Sequence, residues 1–122
     1  MATPEDPSES TFRVACLCAE WCGVCREWRP AFEEQARAHP GLRFDWVDVE
    51  DEADAMGDVD IETFPTLLVA RGSEPLFLGA IPPSGPGLAR LIASLQAQPG
   101  PAPGLDSEAA PLLRRLQARV LR

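Results

Sequence analysis

Apolar residues fall in short runs separated by amphipathic stretches. Phe12 to Leu17 is an apolar run of strand length, and after Cys25 the residues Trp28, Ala31, Phe32 and Gln35/Ala36 recur at helical spacing. Pro40-Gly41 ends that helix, and Pro30 inside it removes one backbone donor and bends it. Leu42 to Val49 is aromatic and β-branched, the pattern of a strand buried on both faces. Strand, helix, strand predicts a right-handed parallel crossover.

Phe64 to Ala70 predicts a third strand that starts at a proline, and Pro75 to Gly79 a fourth, joined to it by a loop short enough for a hairpin. Pro86 then opens a helix with Leu88, Leu91, Ile92 and Leu95 at i, i+3, i+4 and i+7. Pro99 to Gly104 reads as a stiff linker, and residues 105–122 as an amphipathic helix with Leu112, Leu113, Leu116, Val120 and Leu121 on one face.

Composition narrows the function. At 122 residues and 45% hydrophobic, the chain suits one domain with a core. A net charge of −8 lacks the basic face that nucleic acid requires. The final helix is the exception, +2 over residues 105–122 against −10 over 1–104. Acids gather at Asp48, Glu50, Asp51, Glu52, Asp54, Asp58, Asp60 and Glu62, as solvated loop and helix caps or as a dock for a basic partner. The start has no basic, apolar leader, and no run approaches the ~20 apolar residues of a membrane span, so a cytoplasmic location is expected.

The chemistry concentrates in Cys22-Gly23-Val24-Cys25. A cysteine in the first turn of a helix meets unpaired backbone N–H groups, which favour thiolate over thiol. Its partner one turn later can close a small disulfide, so Cys22 reads as the nucleophile and Cys25 as the resolving thiol. The same spacing also serves as half of a zinc site, and with Cys16 and Cys18 the chain has four soft ligands.

Together, Ala19-Glu20-Trp21-Cys22-Gly23-Val24-Cys25 and Phe64-Pro65-Thr66, with Pro65 lying 40 residues after Cys25, resemble the thioredoxin family. Its active site reads Ala-Glu-Trp-Cys-Gly-Pro-Cys, and its cis-proline segment packs against the two cysteines. The resemblance covers about Phe12 to Gln98. It implies an α/β thioredoxin fold, three layers around a mixed sheet of about four strands, and a thiol-disulfide oxidoreductase. Trp21, Gly23, Val24, Thr63, Phe64, Pro65 and Gly79 then border the substrate groove. Cys22-Cys25 serves as the redox-active disulfide, with no other cofactor and no metal. Disulfide-containing proteins are the expected substrates, a thioredoxin-reductase-like flavoenzyme or glutathione the electron donor, and a monomer the expected state.

The chain departs from that family in several places. Met1 to Thr11 reads as disordered, so the family's opening strand and helix are expected to be missing, with the last helix covering what they leave bare or binding a partner or an acidic membrane surface. Cys16 stands where the family has a buried aspartate, Cys18 where it often has tryptophan, and Trp46 where it often has lysine. With the aspartate gone, either Glu20 or water serves the proton of Cys25, or resolution is slower. Cys16 and Cys18 share a face and read as small buried hydrophobes, or Cys16 approaches Cys25 as a thiol relay. Val24 replaces the family's proline between the cysteines, which makes the pair less reducing. His39 reads as a helix-end surface residue. The second reading of the whole is a redox-inert adaptor that keeps the fold for binding.

Overall fold

The computed structural model describes residues 11–59, 61–98 and 100–121. The expected disordered start therefore lies outside the described residues except for Thr11, as do Asp60, the first linker residue Pro99 and the last residue Arg122. The elements are β1 (Phe12–Cys18), α1 (Gly23–Ala38), β2 (Arg43–Asp48), α2 (Ala53–Met56), β3 (Thr66–Arg71), β4 (Glu74–Ala80), α3 (Gly85–Ala97) and α4 (Ala109–Arg119).

The four strands form one mixed sheet in the order β2-β1-β3-β4, with β1 parallel to β2 and antiparallel to β3, and β3 antiparallel to β4. Strand β1 is buried on both faces because it has a neighbour on each side and helices above and below. Alternate residues therefore feed two cores. Val14, Cys16 and Cys18 join Trp28 and Phe32 of α1 and Leu88, Ile92 and Leu95 of α3. Ala15 and Leu17 join Ala55 and Met56 of α2 and Leu112, Leu113 and Leu116 of α4 on the other face. The result is a three-layer α/β/α fold.

Strand β2 corrects one expectation. It is an edge strand with only Val47 fully buried, since sheet order, which local sequence does not report, leaves it with a single neighbour. Pro75 sits on the opposite edge strand beside the register shift at Val69/Ala70, a setting in which a sheet tolerates proline. The hairpin turns at Gly72, with φ of 60°, in the left-handed region that glycine enters freely.

The last helix is shorter than residues 105–122. Asp106 holds a turn ahead of it, accepting from the Glu108 N–H at 2.8 Å through Oδ1 and from the Ala109 N–H at 3.0 Å through its carbonyl. The linker is tethered as well, since the Ala102 N–H donates to Leu76 O at 2.9 Å. Arg115 fastens α4 to α2, its guanidinium donating to Ala55 O at 2.7 Å and Met56 O at 2.9 Å at the carbonyl end of that short helix. Among the described residues, no helix is long and apolar enough to cross a membrane.

Candidate active site

Cys22 is the N-cap of α1, its own N–H turned back to Ala19 O at 3.0 Å and its side chain half-buried. The backbone N–H groups of the first turn of α1 lie beside it. Cys25, one turn on, is buried at 1% exposure. The loop carrying Cys22 is fixed by Asp48, whose carboxylate accepts from the backbone N–H groups of Glu20 at 3.1 Å, Glu50 at 2.9 Å and Asp51 at 3.0 Å. The run of acids hides this tie in the sequence, although an aspartate just ahead of a turn is the usual residue to bond the N–H groups that follow it.

Trp21 stands beside Cys22 at 62% exposure. Its indole N–H donates to Glu50 Oε2 at 2.8 Å, and its ring meets Phe64 edge-on with centroids 5.7 Å apart. Trp21, Cys22, Val59, Ile61, Thr63 and Phe64 border an open groove of about 630 Å³. Val59 and Ile61 have no periodic pattern around them that would mark them in the sequence. The Phe64–Pro65 bond is cis, as the resemblance implies, and Pro65 O accepts from the Ile81 N–H at 3.1 Å. Gly79 borders a smaller depression next to the groove, which it shares with Thr63. Gly23 and Val24 are exposed on the first turn of α1 outside the groove lining.

The cysteine connections differ from those the spacing suggests. Cys25 is disulfide-bonded to Cys18, and Cys22 is a free thiol. Cys18 is therefore no passive hydrophobe, and it is Cys18 rather than Cys16 that reaches Cys25. The reason is geometric: Cys18 is the last residue of β1 and faces α1, whereas Cys16 lies one side-chain repeat further from the loop. Cys16 Sγ is 3.7 Å from Cys18 Sγ and accepts from Trp28 Nε1–H at 3.4 Å. Burial pushes the Cys16 thiol up to about 12, against smaller opposing effects of the Trp28 hydrogen bond and the Arg29 charge. The disulfide also takes Cys18 and Cys25 out of any four-thiolate ligand set in this state.

Behind Cys25 lies a second cavity of about 350 Å³, bordered by Glu20, Arg26, Arg29, Trp46 and Asp48 as well as Cys25. The Arg29 guanidinium carbon is 4.9 Å from the Trp46 ring centroid, a cation–π contact at the cavity wall. Glu20 thus shares a cavity with Cys25. His39 is the C-cap of α1, its Nδ1 2.8 Å from Gln35 O, and lies outside both cavities.

Comparison with known proteins places this arrangement. A family model described as Thioredoxin matches residues 8–80, more than half of the chain. A thioredoxin-2-type protein of Streptomyces coelicolor is 34% identical over 77 residues, covering 62% of this chain and 58% of that protein. Thioredoxin-1 of Caenorhabditis elegans is 32% identical over 56 residues, 46% of this chain and 49% of its own. The chain thus spans about half the length of the curated relatives it matches. Among solved structures, a poplar thioredoxin h superposes with a TM-score of 0.64 at 24% identity, covering 73% of this chain and 79% of its own, a likeness of fold. Strand order, the cysteine-capped helix and the residues matched by the family model agree, and this chain belongs to the thioredoxin family.

Proposed function

We propose that the protein reduces disulfides in protein substrates by dithiol-disulfide exchange, with Cys22 as nucleophile and Cys25 as resolving thiol. The observation that carries this reading is the asymmetry of the pair: Cys22 is a free, half-buried thiol at the N-cap of α1 on the wall of an open groove, and Cys25 is buried one turn behind it. The Cys22 thiolate attacks a substrate sulfur, one substrate sulfur leaves as thiolate, and a mixed disulfide forms. Cys25 then attacks Cys22 Sγ, releasing the second substrate thiol and closing Cys22–Cys25. Trp21, Phe64 and Ile61 supply an apolar wall for the substrate segment around its disulfide. Glu20, in the cavity behind Cys25, takes the proton that Cys25 must lose. Electrons return from a flavoenzyme of the thioredoxin-reductase class or from glutathione, in a compartment that keeps thiols reduced.

Trapping tests this. A Cys25→Ser protein can attack but not resolve, so incubation with insulin accumulates a covalent adduct at Cys22, cleavable by dithiothreitol and visible by mass spectrometry. Absence of that adduct, or an adduct on another cysteine, contradicts the assignment.

A further inference from the structure

Cys25 stands one turn after Cys22, the N-cap of α1, and is bonded to Cys18 at the end of β1. We propose that Cys18 is a second resolving thiol that draws the oxidised state from the Cys22–Cys25 pair into the core and returns Cys22 to the free thiol. The inference rests on the exchange reading above.

The step balances within the protein. The Cys18 thiolate attacks Cys25 Sγ of the Cys22–Cys25 disulfide, the Cys18–Cys25 bond forms as the Cys22–Cys25 bond breaks, and Cys22 leaves as thiolate. The proton given up by Cys18 is matched by the one Cys22 gains. The two-electron oxidation stays in the chain, so no outside oxidant is needed.

Three features place Cys18 for this role. The end of its strand is pinned, since Cys18 O accepts from the Val49 N–H at 2.9 Å. Its Cα lies 6.0 Å from that of Cys25, a separation a disulfide spans without backbone movement. Finally, with Cys18 in the disulfide, the hydrogen between the two sulfurs 3.7 Å apart belongs to Cys16, so Cys16 donates to Cys18 Sγ. That donor faces the sulfur that carries negative charge whenever the inner disulfide forms or opens, and hydrogen bonds to charged acceptors are the stronger ones. Trp28 N–H donates to the Cys16 sulfur and helps hold it in place. Cys16 is thus a positioning residue rather than a nucleophile, which agrees with its burial as a thiol.

The relay has a functional consequence. The oxidised protein keeps its disulfide between two residues of 0% and 1% exposure while Cys22 remains at the groove. A reductant must then act through Cys22 and run the relay backwards.

The sequence makes the test direct. Cleavage after Arg13, Glu20 and Arg26 by trypsin and a glutamate-specific protease puts Cys16 and Cys18 on one peptide, 14–20, and Cys22 and Cys25 on another, 21–26. A Cys22–Cys25 bond leaves the peptides separate, whereas Cys18–Cys25 joins them. The reduced full-length protein is mixed with excess insulin, quenched with acid over time, capped with N-ethylmaleimide, digested and weighed. The relay predicts separate peptides early and joined peptides late, with the cap on Cys22. In Cys18→Ala and Cys18→Ser the first exchange persists, while joining and late capping of Cys22 are lost. Cys16→Ala slows the joining without slowing the first exchange, and Cys16→Ser, which keeps a donor, restores it.

Peptides that stay separate at every time overturn the relay and leave the exchange reading intact. The relay also fails if Cys22→Ser acquires the inner bond as fast as the parent protein, because the outer pair is then not upstream. A protein that insulin does not oxidise overturns both.

Discussion

At Cys25 a single sulfur chooses between a partner at the surface and a partner in the core, and the residues around it set different terms for each. Cys22 has helix N–H groups and solvent, whereas Cys18 has the Cys16 thiol and an apolar core that includes the aromatics of α1. Cys16 itself has a measurable signature. All eleven cationic residues are arginines and the chain has no tyrosine, so between about pH 9 and 12 thiols alone titrate. Unfolded, Cys16 ionises near 9.0; folded, burial holds its proton to about 12. The folded state therefore binds more protons across that window. The stability this contributes is complete below the unfolded value and is lost as pH rises towards the folded one. Urea unfolding of the oxidised protein should show a midpoint that falls between about pH 8 and about pH 11, and Cys16→Val should remove most of the fall. An equal fall in both proteins contradicts the buried-thiol account.

Between elements, the C-terminal helix is a structural layer of the domain. Leu112, Leu113 and Leu116 of α4 are fully buried on the sheet, Arg115 caps α2, and Gln117 Nε2 donates to Gly72 O at 3.0 Å at the hairpin turn. Leu113→Ala should cost about 2–5 kcal/mol by leaving a cavity. Arg115→Ala should cost about 1–3 kcal/mol by stranding two carbonyls at a helix end. Denaturant unfolding checks both, and exchange activity per folded molecule should be unchanged because neither residue borders the groove. Wild-type stability in Leu113→Ala is the result that contradicts docking. Helices α1, α3 and α4 were legible because an amphipathic face repeats locally every three to four residues. The edge position of β2 was not, because strand order is decided by partners far away in sequence. The same limit hid Cys18: the spacing of Cys22 and Cys25 is local, but a pairing from a strand end to a helix is visible only once β1 lies against α1.

For the molecule as a whole, family membership, a cysteine-capped helix and an apolar groove are what the proposed disulfide exchange rests on. The most direct test of this account is dithiothreitol-driven reduction of insulin disulfides by the full-length protein, set beside Cys22→Ser. The account predicts catalysed reduction by the parent chain and a rate no better than dithiothreitol alone with Cys22→Ser. Reduction that persists in Cys22→Ser, or a parent chain that adds nothing to the dithiothreitol rate, contradicts it.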